Sequence, residues 1–324
     1  MKKMPCRVLF FILIGLYFIL WPEVSQGGIE EAIYLSDVPP EGHNLGHGSS
    51  QRHGGDHSEH RASPFRKVYL NTHELSDDAE AIVLRPDGTF KKVPLSHDEE
   101  GWSVKIDMRP MDGSLDGIFN LYVIDKGLRD GRLLIRIAKA NIINHSCGWG
   151  HKFKFDKERL RPKSLDTIPL EIVGYDMWDR NFHRKTASGE RFRFSVLRNG
   201  RPFKALVKIR TGSGWVKTLT TEEDGTGSFQ LIRDYYPERW SGFNARNTSS
   251  FILTAEYEAD EEGIYKGRVY KKIRIIVTLP WKYQTGRIEY TSYAYGLLMF
   301  TLFSLLAGLV VFIYRQRHKG RWVL

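Results

Sequence analysis

Between Arg66 and about Lys163, apolar and polar residues alternate in short runs: "EAIVLRPDGTFKKVPL", "GWSVKIDM", "IFNLYVID", "GRLLIRIAKANIINHSC" and "HKFKFD". A period of two sends every second side chain to the same face of an extended chain, so each run predicts a strand. Asp87-Gly88 and Asp130-Gly131 are hairpin turns by composition. Residues 66–163 therefore predict an N-terminal β domain. The basic segment "RLRPKSLDT" follows. Beyond it come "IPLEIVGYD", "GERFRFSVLRNG", "RPFKALVKIRTG", "GWVKTLTT", "GSFQLIRDYY", "SSFILTAEYEA" and "YKGRVYKKIRIIVTLP". Short strands at this regular spacing predict an immunoglobulin-like β-sandwich over residues 164–288, with Asn199-Gly200 at a hairpin and Asp224-Gly225 in a turn. No long amphipathic helix interrupts the pattern. The expected class is all-β, two β-sandwich-like domains.

Two stretches break the alternation by being apolar throughout. Residues 1–27 join a basic start (Lys2, Lys3, Arg7), an apolar run from Val8 to Trp21 and a polar exit "PEVSQGG". These are the parts of a signal peptide, cleaved before Gly28; an uncleaved N-terminal anchor is the alternative. The second stretch, Tyr293 to Tyr314, carries no charge and is long enough for a hydrocarbon core of about 30 Å. Tyrosines flank it, and Arg315, Arg317, Lys319 and Arg321 make residues 315–324 a basic tail. The positive-inside bias places that tail in the cytoplasm and residues 28–288 outside the inner membrane.

Charge changes the picture only slightly. The whole chain carries +10; a net +2 leaves with the leader and +4 lies in the tail, so about +4 remains on the exported part. Neither that balance nor the compartment suits nucleic acid. With Cys6 in the leader, Cys147 is the one remaining thiol, and an intramolecular disulfide is impossible.

Histidine changes it more. Residues 28–65 predict a disordered tether, and "EGHNLGHGSSQRHGGDHSEHR" within it holds His43, His47, His53, His57 and His60, five of the eleven histidines. Glycine, serine and charge cannot build a core, so these imidazoles stay in water. They form either a low-specificity metal collector, with Asp56 and Glu59 as further ligands, or a hydrophilic spacer. A sharper cluster is "NHSCGWGHKFKF". On a strand His145 and Cys147 share a face, and the Gly148-Trp149-Gly150 turn could return His151 to them. One thiolate and two imidazoles suit copper, zinc, nickel or cobalt; the alternative is a buried cysteine beside a tight turn. His183 near Asp176 and Asp179 is a lesser candidate. Tyr235, Tyr236, Trp240 and Phe243 suit a sandwich rim more than a ligand platform. Signatures of hydrolases, metalloproteases, phosphate-binding loops and c-type haem are absent from the sequence, so an enzyme is not expected.

The order "IPLEIVGYD…SGERFRFSVLRNGRPFKALVKI…TLTTEEDGTGSFQL…YPERW" resembles the periplasmic domain family known by the unknown-function label DUF4198. The likeness covers about Ile168 to Lys272 and is strongest at Gly189-Glu190, Gly200-Arg201-Pro202 and Asp224-Gly225. It implies a sandwich that accompanies nickel or cobalt uptake systems, with the membrane subunits of the transporter as partners. The preceding β domain and the following span depart from the family pattern. Two functions thus stand beside each other: a membrane-anchored periplasmic accessory for nickel or cobalt capture and uptake, and a non-catalytic envelope module that binds a protein or glycan.

Overall fold

A computed structural model describes residues 31–40, 65–72, 74–108, 117–144, 157–161, 163–175, 186–232, 248–284 and 287–318. Apart from one C-terminal helix and one 3-10 turn, the regular structure among these residues is all strand. In chain order the first strands are β1 (Leu35–Ser36), β2 (Phe65–Leu70), β3 (Glu80–Leu84), β4 (Phe90–Val93), β5 (Leu95–Asp98), β6 (Gly101–Asp107), β7 (Gly117–Arg129) and β8 (Arg132–Asn144). After a 3-10 turn at Lys157–Leu160 come β9 (Glu171–Gly174), β10 (Thr186–Ala187), β11 (Arg191–Arg198), β12 (Arg201–Pro202), β13 (Leu206–Thr211), β14 (Val216–Thr220) and β15 (Thr226–Gln230). The last are β16 (Thr248–Ala259), β17 (Gly263–Tyr265), β18 (Arg268–Tyr270) and β19 (Lys272–Gln284), followed by α1 (Arg287–His318).

Two cores form on opposite faces of a single sheet. That sheet has nine strands, in the order β14-β13-β16-β19-β8-β7-β3-β4 with β10 alongside β19. Along β7, Phe119, Leu121 and Val123 enter one core while Tyr122 and Ile124 enter the other. The alternation along β8 is the same, with Ala138, Ala140 and Ile142 on one side and Leu133, Ile135 and Ile137 on the other. A strand covered on both faces reads as a nearly continuous apolar run, which is why "IFNLYV" and "LLIRIA" show so little polarity. The first core is closed by β1, β2 and β6 through Leu35, Val68, Leu70, Val104 and Ile106. The second is closed by β9, β11 and β15 through Ile172, Phe192, Phe194, Val196 and Phe229. Phe192 packs edge-on against Phe251 at 5.2 Å, and Phe229 does the same at 5.6 Å.

The expected all-β class with two sandwich-like cores and a terminal apolar helix is therefore present, with three differences from the sequence reading. The boundary at Lys163–Ser164 divides neither the sheet nor the second core, because β19 pairs in parallel with β8 from Lys272↔Arg132 to Thr278↔Ala138, and Tyr122 and Ile135 from before it pack in one core with Phe192 and Leu253 from after it. The stretch assigned to a tether from 28 to 65 contains a strand: Leu35 pairs with Leu70, and Ile33 and Leu35 are both 2% exposed. The run "YKGRVYKKIRIIVTLP" is three elements, since Lys266 and Gly267 adopt left-handed φ of 49° and 75° and fold β17 onto β18 before β19 begins.

The two-residue turns sit where composition puts them. Asp130-Gly131 joins β7 to β8 with φ of 50° and 71°, and Asn199-Gly200 joins β11 to β12 with 48° and 74°. Both residues at positive φ define the turn type whose twist matches paired strands. In α1, residues Ala294–His318 are long and apolar enough to cross a membrane.

Candidate functional site

The candidate ligands His43, His47, His53, His57, His60, His145, Cys147 and His151 lie outside the described residues, as do His183, Tyr235, Tyr236, Trp240 and Phe243. Among the described residues no group of three or more His, Cys, Asp or Glu is placed to hold a metal ion. What the fold does fix is where the chain leaves and re-enters around these segments.

Most of those exits lie at one end. β8 finishes at Asn144, opposite Gly117 at the start of β7, and His145 is the next residue. The Asn144 amide donates to the Met108 carbonyl at 3.1 Å, which brings the end of β6 to the same place. Phe65, where the chain returns from the histidine-rich stretch, pairs with Asp107 of β6. β19 runs parallel to β8 and ends at Gln284, opposite Thr248 at the start of β16. β10 pairs with Tyr283 and Gln284, and the Ser188 amide donates to the Gln284 carbonyl at 2.7 Å. The Gly189 amide donates to the Leu231 carbonyl at 2.8 Å, so the end of β15 arrives here too. The histidine-rich stretch begins elsewhere, after Pro40, which lies beside Gly101 of β6.

α1 starts from this same end. Gln284 is followed by the helix at Arg287 and by the apolar span at Ala294. Ten residues, mostly helical, reach no more than roughly 20 Å. The end of the fold that carries these exits is thus held close to whatever α1 enters.

An ion-pair hub braces it. Asp37, just after β1, accepts from Arg66 at 2.9 Å and from Lys282 at 2.8 Å, tying β1, β2 and β19 together. Burial alone would raise the Asp37 carboxyl, but the two cations outweigh it and hold it down at about 2. A carboxyl depressed in the fold stabilises it above its unfolded value and loses that contribution as pH falls through the folded value. Between about pH 4 and about pH 2 the hub should therefore release. Asp37→Asn should flatten that part of the acid unfolding curve; an unaltered curve would show that the hub contributes nothing. The side chains are partly exposed, so the effect is small.

Sequence reasoning missed two buried pairs deeper in the fold. Lys139 of β8 and Glu171 of β9 meet in the second core at 2.6 Å. Arg136 of β8 bonds Asp125 of β7 at 2.8 Å on the opposite face, where the Ser76 amide also donates to Asp125 at 2.7 Å. The signal was present: Arg136 and Lys139 are the two charges inside the otherwise apolar run "LLIRIAKA".

No known protein family and no curated protein matches the chain. Among solved structures, the BSP domain of a biofilm-associated protein aligns with 67% of this chain and 27% of its own, at 13% identity and TM-score 0.16. A bacterial ice-binding adhesin, from work on host cell surface retention, aligns with 69% of this chain and 59% of its own, at 11% identity and TM-score 0.19. The chain thus spans less than two thirds of either, and at these scores the likeness carries no argument about its function.

Proposed function

We propose that this chain is a membrane-anchored extracytoplasmic accessory protein that captures transition-metal ions, nickel or cobalt foremost, for the membrane subunits of an uptake transporter. It has no catalytic role in this reading. His43, His47, His53, His57 and His60 collect ions, His145, Cys147 and His151 hold one, and α1 keeps the fold at the inner membrane with its basic end in the cytoplasm. What supports the reading is the common exit: the chain enters the His145–His151 segment, and returns from the histidine-rich one, at the end of the fold from which α1 departs. A ligand passed on there has the shortest path to a partner within the membrane.

The test is calorimetric titration of the full chain in detergent with Ni²⁺ and Co²⁺, alongside a variant lacking residues 41–61. Several ions should bind weakly to the full chain, and most of that stoichiometry should vanish with the deletion, because unorganised ligands must be ordered on binding. Binding should also fade below about pH 6.5, where imidazoles protonate. Metal should shield Cys147 from a thiol reagent, and Cys147→Ser should lower affinity for the tightest ion. Equal stoichiometry with and without residues 41–61 would leave the segment a spacer. The envelope-module reading would then gain, and its first contact candidates are Ile264 and Val269, cross-strand neighbours on β17 and β18 that are 74% and 64% exposed.

A further inference from the structure

The second core contains an ion pair that solvent does not reach. The side chains of Lys139 and Glu171 are each 1% exposed, and the Lys139 Nζ lies 2.6 Å from Glu171 Oε1. β8 belongs to the nine-stranded sheet and β9 to the sheet that covers it, so the pair crosses the sandwich. Its surroundings are ordered around both carboxylate oxygens. The Tyr122 hydroxyl donates to Oε1 at 2.7 Å, and the Leu165 amide donates to Oε2 at 3.0 Å. Lys139 Nζ also donates to the Ile172 carbonyl at 3.0 Å, which orients the amine. Tyr122 stands directly opposite Lys139 in the β7–β8 register, so these two are fixed by backbone pairing as well as by their own bonds, while Glu171 is held on the other sheet opposite Leu197 of β11.

Two full charges in an apolar interior are a costly arrangement, and condensation removes both. We propose that Lys139 and Glu171 join in an intramolecular amide, a covalent tie between the two sheets of the sandwich. The Nζ–Cδ bond forms and the Cδ–Oε1 bond breaks. A proton first passes from the ammonium to the carboxylate, leaving a neutral amine and a neutral acid. The Nζ lone pair adds to Cδ, and the charge that develops on Oε2 is met by the Leu165 amide, an oxyanion donor already in place. Tyr122 keeps its proton, because burial and the neighbouring Glu171 push its hydroxyl well above the ordinary range. It donates to Oε1 as that oxygen departs in water, and recovers a proton from the new amide nitrogen. One ammonium and one carboxylate become one amide and one water, with no oxidant or cofactor. Holding amine and carboxyl in contact supplies the proximity that drives such a step.

The experiment is mass spectrometry of the full chain purified in detergent, with Lys139→Arg as the control. Arginine retains a cation opposite Glu171, but its guanidinium does not condense with the acid. The wild-type chain should be lighter than its residues by one water relative to Lys139→Arg, and proteolysis should release a branched peptide joining the segments around Lys139 and Glu171. In Tyr122→Phe, unreacted chain should accumulate; complete closure there would overturn the proton relay. A wild-type chain that is β-rich by circular dichroism yet yields separate, unmodified Lys139 and Glu171 peptides after long incubation would overturn the tie itself, whether or not Lys139→Arg folds.

Discussion

Replacing Lys139 with methionine should destabilise the fold by about 3–5 kcal/mol, the cost of stranding one member of a buried pair. Glu171 would keep the Tyr122 hydroxyl and the Leu165 amide but lose its countercharge, in a site where its side chain is 1% exposed. The loss is larger with the covalent tie in place, since the variant then lacks the cross-link as well. In a domain of this size each kcal/mol shifts the melting temperature by roughly 2–4 °C, so the change is large enough to see in a thermal melt. Lys139→Met combined with Glu171→Gln should recover part of the loss, because a neutral amide needs no countercharge, its oxygen can still accept from the Leu165 amide and its NH2 can donate to the Tyr122 hydroxyl oxygen. A single variant that loses less than about 1 kcal/mol would mean that water reaches Glu171.

Gly225→Ala should cost roughly 2–5 kcal/mol, from left-handed backbone strain and overpacking together. Gly225 sits at φ 73°, and a Cβ there would lie 2.5 Å from the Val196 carbonyl oxygen and 2.9 Å from the Phe203 amide nitrogen. Neither atom can yield, because Phe203 N–H donates to that same Val196 carbonyl and Val196 N–H donates to the Gly225 carbonyl, both at 2.9 Å. Gly214→Ala is the matched control: its φ of 90° carries similar strain, but nothing lies within 4 Å of the added carbon. Chemical denaturation of the two variants separates the terms. Equal losses would show that crowding against Val196 and Phe203 contributes nothing.

Gly225 also illustrates how far the chain can be read unaided. Asp224-Gly225 is legible as a turn, since Asp224 accepts from the Thr226 amide at 2.9 Å as aspartate in turns does. That the glycine must also admit two strands of backbone is not, because the intruding atoms come from residues more than twenty positions away. The candidate ligands are a similar case. Their identity and spacing are sequence facts; that the chain enters the His145–His151 segment beside the return at Phe65 follows from the Asn144–Met108 and Phe65–Asp107 contacts.

The sequence by itself determined the strands, through period-two alternation, and the tight hairpins at Asp130-Gly131 and Asn199-Gly200, through residues that tolerate positive φ. It also determined the apolar stretch of α1. These are local properties, set by neighbours within a few residues. Only the tertiary structure decided that β19 lies parallel to β8, that Ile33 and Leu35 leave the polar segment to close a core, and that Lys139 finds Glu171 across the sandwich. Alternation states which face of a strand is apolar, but β7, β8 and β3 bury both faces. Which strand sits beside them is settled by how two cores fill at once, a condition on residues far apart in the chain that no window along it contains.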